Sequence, residues 1–279
     1  MRRAFAEEVA GPDESIRLEY AALLVGAEDS AHEHVDLEAY LLRLEDWAAQ
    51  ARHRLSRSQS TGRPQTAVEI FNHFMFEELE LSGNQLDYYD PRNSYLHKVI
   101  DRRTGIPITL SIIYMEVARR AGLLVEGVGL PGHFIVRVRE RETQDFQLVD
   151  PFNHKTLDQE DCQDRLDEAY DGRVRLTEEH LRAVSVRAIL VRLLTNLKAI
   201  YARAELYGQA LATVERILLV APHSADERRD RGALLAQLDR LPEAVRETEA
   251  YLQLAPHSAD AEQVREQLKA LQRRQATLN

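Results

Sequence analysis

A single cysteine, Cys162, stands in 279 residues, which excludes an intramolecular disulfide framework. With no CxxC and no Cys/His cluster, neither a structural zinc site nor any other metal or cofactor is expected. One thiol suits a reducing compartment, and the cytoplasm is the expected location. Long apolar runs are also missing: Tyr20–Ala27 and Ile217–Ala221 fall far short of the roughly 20 residues of a membrane-spanning helix. The opening MRRAFAEEVAGPDES meets Glu7 and Glu8 where a secretory signal needs an apolar core, so neither a leader nor a membrane role is expected. Positive charge is in deficit, with 36 Lys and Arg against 46 Asp and Glu and a net charge of −10. Phosphate-backbone binding needs clustered Lys and Arg, so nucleic acid is not an expected partner.

What is present is ordinary for a folded soluble chain: 44% hydrophobic and 29% charged residues, enough for one large or two modest domains. Helical spacing of Leu37, Leu41, Leu44 and Ala48 predicts a core-facing helix that packs Trp47. Arg52–Arg63 (RHRLSRSQSTGR) has the composition of a solvated connector. Beyond it, Thr66–Leu79 returns to helical periodicity, with Phe71, Phe74 and Phe76 as core, and Ser82–Asn84 closes it with turn residues. Asp90-Pro91 signals another turn before a short helix through Tyr95, Val99 and Ile100. Pro107 then suits the first position of a helix running to about Ala121, and Gly122 its stop. From Leu123 the pattern shifts to short β-prone pieces, LLVEGVGL, HFIVRV and FQLVD, the last two joined by the charged turn RERETQD. Helices followed by an antiparallel sheet predict an α+β domain.

An internal repeat organises the C-terminal third. APHSAD occurs at Ala221–Asp226 and again at Ala255–Asp260, a period of 34 residues (255 − 221), and Ala210/Ala244 and Tyr207/Leu241 keep the same interval. That is the tetratricopeptide length, in which paired antiparallel helices pack through small residues and proline ends each unit. The expected organisation is therefore residues 1–184 as one domain with its N-terminal helices, and 185–279 as an all-α tetratricopeptide array with a capping helix.

The stretches GIPITLSIIYMEVARRAGL, VGLPGHFIVRV and FQLVDPFN resemble the core of transglutaminase-like, papain-related proteins. With YYDPRNSYLHKVIDRR before them and the repeats behind, nearly the whole chain is similar to the bacterial SirB-type transglutaminase-like family. The resemblance implies helices packed on a small antiparallel sheet, with a nucleophilic cysteine at a helix start, then a histidine, then an aspartate followed by proline. His133 and Asp150 match the last two. At the helix start the chain offers Thr109 and Ser111 but no cysteine, and Cys162 falls after Asp150, out of order; its ordinary reading is a small buried residue.

Two functions follow as expectations. One is a protein- or peptide-binding module, acting through the repeat array and lacking the catalytic cysteine. The other is an amide-bond hydrolase or acyl-transferase that uses His133 and Asp150 with the hydroxyl of Ser111 or Thr109. The polar run Tyr88, Tyr89, Asp90, Asn93, His97, Arg102, Arg103, Arg119 and Arg120 holds candidates for lining a cleft, of which Tyr89, Asp90, Asn93, His97, Arg103 and Arg120 are the leading ones. Taken singly, they read as turn residues, a solvated helix face for His97, and surface charge for the arginines.

Overall fold

A computed structural model describes residues 1–29, 34–58, 66–139 and 145–278. The chain divides into two compact units, Met1–Ile189 and Leu190–Asn279.

The first unit opens with α1 (Arg2–Glu8), α2 (Leu18–Asp29) and α3 (Leu37–Ser58). In α2 all nine residues from Leu18 to Ala27 other than Tyr20 are buried, as an apolar surface on every side requires. The helix α3 runs on through Arg52 to Ser58, so the first half of the expected connector is helical; its remainder, 59–63, lies outside the described residues. Next, α4 (Ala67–His73) starts with a reciprocal capping box between Thr66 and Glu69. It passes into a π-helical segment, Phe74–Glu78.

Two-residue strands β1 (Ser82–Gly83) and β2 (Thr104–Gly105) pair in parallel and bracket α5 (Leu96–Arg102). The central helix is α6 (Pro107–Arg120), whose residues from Pro107 to Ala118 are all buried. Gly122, at φ 88°, turns the chain out of it as only glycine does without strain. An antiparallel meander follows: β3 (Leu124–Val128), β4 (Ile135–Arg139), β5 (Phe146–Asp150) and β6 (Lys155–Leu157). The register sets Val136 opposite Val149 and Asp150 opposite Lys155. Neither β6 nor the next helix, α7 (Gln159–Tyr170), was expected from the sequence, and the turn between β4 and β5 lies mostly outside the described residues. Cys162, on α7, is buried with Val128, Leu130, Ile135 and Leu157.

The helix α8 (Val186–Arg203) passes from the first unit into the second, which continues with α9 (Tyr207–Val220), α10 (Ala225–Gln237), α11 (Leu241–Leu254) and α12 (Ala261–Leu278). Its backbone repeats with the sequence period. Glu205 and Asp239 adopt φ 57° and 58°, and Ala221 and Ala255 end their helices at φ/ψ of −129°/73° and −132°/60°. Ala210 and Ala244 are completely buried, which is where small residues let paired helices approach.

Candidate functional site

The sheet brings the histidine and the aspartate together. His133 lies just ahead of β4 and Asp150 ends β5, and His133 Nε2 is 2.9 Å from Asp150 Oδ2. Asp150 is completely buried, whereas the His133 side chain keeps 11% of its surface exposed. Three other residues converge on the carboxylate. Oδ1 accepts the backbone N–H groups of Phe152 (3.0 Å) and Asn153 (3.2 Å). Oδ2 accepts Asn153 Nδ2 at 2.7 Å and Arg165 Nη2 at 2.5 Å. Burial by itself would raise this carboxyl's pKa, but the bonds to His133 and Asn153 and the charge of Arg165 outweigh it and hold the group below the usual carboxylate range.

The turn fixed in this way, residues 150–154, places two aromatic rings. Phe152 meets the His133 ring at 6.2 Å, nearly perpendicular, and meets Tyr88 at 6.3 Å. It also fills the space beside Gly83, where an added Cβ would come within 2.6 Å of it. His154, at φ 57°, stacks flat on Phe76 at 4.8 Å, and Phe76 in turn stacks on Tyr114. The π-helical segment therefore puts Phe76 under this turn. Sequence reasoning missed Phe152, Asn153, His154 and Arg165. The run Asp-Pro-Phe-Asn carries a turn signal that points to Asn153; nothing local points to Arg165, which arrives on α7.

The helix start holds no exposed nucleophile. Pro107 is the first residue of α6. Thr109 is completely buried, and its Oγ1 lies 2.8 Å from Asn93 O, to which it donates, while accepting the Ile106 N–H at 3.1 Å. Ser111, equally buried, directs Oγ toward Phe134 O at 3.5 Å. Both hydroxyls bind the helix start and the strand start to their neighbours. Burial pushes the Cys162 thiol up to about 11, against the opposing pull of Arg165 and with the help of Asp161, Asp158 and Asp150.

The other sequence candidates divide between two places. Asp90 and Asn93 organise the loop before α5: Asp90 accepts the Arg92 N–H at 2.9 Å, and Asn93, fully buried, donates to the Asp87 carbonyl at 2.7 Å. Arg102 lies 3.5 Å from Asp90. Tyr88 and Tyr89 are exposed on the same loop. The remaining candidates are engaged elsewhere. Arg103 donates to Leu79 O. Arg119 pairs with Glu116 at 2.6 Å, and Arg120 with Glu19 at 2.8 Å and Glu45 at 3.4 Å. His97 is no solvated face. It is 1% exposed, lies between the rings of Tyr40 and Tyr95, and packs against Gly26, where a Cβ would meet Nδ1 at 2.8 Å. Helix α5 turns that face toward α2 instead of solvent.

In the second unit, α10 and α12 bound a slot of about 330 Å³ over Thr248 of α11. Ala233, Ala236, Ala270 and Leu271 give it apolar walls, and Arg229 and Arg274 stand on its rim-forming helices. Gly232 allows the close packing beneath, since a Cβ there would meet Thr248 Oγ1 at 2.8 Å. Among the described residues no group of three or more His, Cys, Asp or Glu is set to hold a metal ion, and no helix is long and apolar enough to cross a membrane.

A histidine paired with a buried aspartate at the start and end of neighbouring strands, beside a central helix and followed by a 34-residue repeat, defines a transglutaminase-like domain with a tetratricopeptide array. The sequence models agree: that of the transglutaminase-like superfamily matches residues 38–195 and that of the tetratricopeptide repeat residues 197–269. A UPF0162 protein of Xylella fastidiosa strain 9a5c is 35% identical over 230 residues, 81% of this chain and 79% of the relative. One from Vibrio cholerae is 29% identical over 170 residues, 61% of this chain and 63% of the relative. Human F-box only protein 21 is 31% identical over 137 residues, which are 47% of this chain and 21% of that protein. The chain belongs to the transglutaminase-like superfamily, in the UPF0162 family.

Proposed function

We propose that this is a binding protein, in which a transglutaminase-like domain without thiol catalysis is joined to a repeat array that receives a peptide segment of a protein partner in the cytoplasm. The observation that carries the reading is the start of α6. Its first residue is Pro107, its two hydroxyls are buried against backbone carbonyls, and the one thiol is buried elsewhere with its pKa raised. A nucleophile must reach both its base and the substrate, and the complete burial of Thr109, Ser111 and Cys162 speaks against access to a substrate. Tetratricopeptide arrays commonly take peptides on a concave face, and the slot between α10 and α12 has the apolar walls such a ligand needs.

A second reading retains chemistry, because the His133–Asp150 pair is intact and the imidazole reaches the surface. Assays of the full chain with activated esters and peptide amides separate the two. As a structural pair, His133→Ala removes one of several partners of the buried Asp150 carboxylate and costs about 1–3 kcal/mol of stability, the range for one hydrogen bond to a charged group, and there is no turnover to lose. Turnover that survives purification and vanishes in both His133→Ala and Asp150→Ala, with unchanged melting, would overturn the binding reading. For the array, Ala233→Arg narrows the slot from an exposed position. A partner retained by the natural chain should be lost by this variant, and equal retention would remove the slot from the proposal.

A further inference from the structure

Large apolar side chains of the first unit break the surface together in one short loop. Leu86 is 101% exposed, Tyr89 55% and Tyr88 37%. The loop backbone is nevertheless held from inside. Asn84 Oδ1 accepts the Asp87 N–H at 3.0 Å, and Asn93 Nδ2 donates to the carbonyls of Asp87 and Tyr88 at 2.7 and 3.3 Å. Asn84 Nδ2 in turn donates to Asn93 Oδ1 at 3.1 Å. A surface held this firmly loses little freedom when it binds.

The chemistry of the exposed face is specific. Its rings continue as a row: Tyr89 to Tyr88 at 5.4 Å and 78°, Tyr88 to Phe152 at 6.3 Å and 70°, then Phe152 to His133 at 6.2 Å and 81°. Beside them stands Asp87, exposed, whose carboxylate takes no hydrogen bond or ion pair among the described residues. Arg92, which feels that charge, is committed to Asp90 at 2.8 Å. Ring faces carry negative potential and attract cations, arginine above all, and a carboxylate next to them adds a charge partner. The net charge of −10 favours the approach of positively charged partners and disfavours acidic ones.

We propose that the 84–90 loop is a binding site for a basic peptide, which lays an arginine or lysine side chain over Tyr88 and Tyr89 beside Asp87 and runs toward His133. The site is separate from the repeat slot and stands whether or not that slot binds anything. An acidic or uncharged peptide would meet the same rings without gaining from Asp87, so the preference for a cation is the test.

The full chain, labelled with nitrogen-15, is titrated with short alternating Gly-Arg, Gly-Glu and Gly-Ser peptides while amide shifts are followed. Saturable shifts confined to residues near 85–90 and 152 are expected with Gly-Arg alone. Asp87→Asn keeps the backbone bonds that shape the loop and should weaken binding by about two- to fivefold, as should Tyr89→Ala, the factor an exposed cation–π contact is worth. Equal binding of Gly-Glu, shifts that map to α10 and α12 instead, or no saturable response to Gly-Arg would each overturn the proposal.

Discussion

Two turns, each with a proline as its second residue, organise the two units by different means. The 150–154 turn is held by a carboxylate that gathers residues 133, 152, 153 and 165. The repeated turn at 221 and 255 closes within a few residues: Ser224 N–H donates to Ala221 O at 3.1 Å and Ser258 N–H to Ala255 O at 3.3 Å. The first is non-local and buried, the second local and copied. A buried carboxylate shared by distant segments makes the segments depend on one another, whereas a local turn can be duplicated because it needs nothing from outside its repeat.

The comparison is broken most severely by removing the shared carboxylate. Asp150→Ala leaves Arg165 at 22% exposure and His133 at 11% without their common partner, and should cost about 3 kcal/mol, in the range for one lost member of a buried charge pair. Urea denaturation measures it. Because the folded pKa is depressed, the natural chain's extra stability is present above the ordinary carboxylate range and is lost as pH falls through the lower folded value. The variant should lack that acid-side loss, and a cost below that of an ordinary surface substitution would deny Asp150 its role.

The same contrast decides what could be read from the chain. The 34-residue spacing of Ala221 and Ala255 was visible because every element of the turn lies inside the repeat. Pro107 and Gly122 marked the ends of α6 for the same reason. His133 and Asp150 were legible as a pair through resemblance, but Arg165 was not, since α7 reaches Asp150 only after the sheet has formed. His97 was misplaced because its helix is short and its polar neighbours suggest a wet face, while Gly26 on α2 supplies the cavity that covers it. Thr109 and Ser111 were seen as possible nucleophiles, whereas the carbonyls of Asn93 and Phe134 that they face come from other elements.

Glu116 sharpens the comparison, because it is a carboxylate buried in the same unit with fewer donors than Asp150. Burial, then the nearby charge of Glu19, raise its pKa to about 7, against the weaker pull of Arg119 and Arg120. A raised carboxyl binds its proton more tightly in the folded chain, so stability falls as pH rises from about 4.5 to about 7 and stays reduced above that. Glu116→Gln should therefore be nearly neutral at the acid end of this window and stabilising above it, by on the order of 1–3 kcal/mol from the size of the shift. Melting curves at the two ends of the window check this, and a gain independent of pH would contradict it.

The smallest effect probes a cap supplied from a distance to an otherwise local helix start. Ser185 Oγ accepts the Ala188 N–H at 3.1 Å, in the ordinary manner of a capping residue. Asp13, far away in sequence, accepts the next two donors, Val186 N–H at 2.9 Å and Arg187 N–H at 2.8 Å. Arg187 answers by donating to Val9 O at 2.9 Å. Asp13→Ala returns two helix-start donors to water and should cost about 1 kcal/mol, the usual worth of a cap. Asp13→Asn keeps an acceptor oxygen but gives up the charge that favours a helix N-terminus, and should cost less. Amide exchange at residues 186–189 gives the local measure: protection there should fall in the Asp13→Ala chain while the amides of α11 are unchanged. If α11 loosened equally, the effect would lie in general stability and not in the cap.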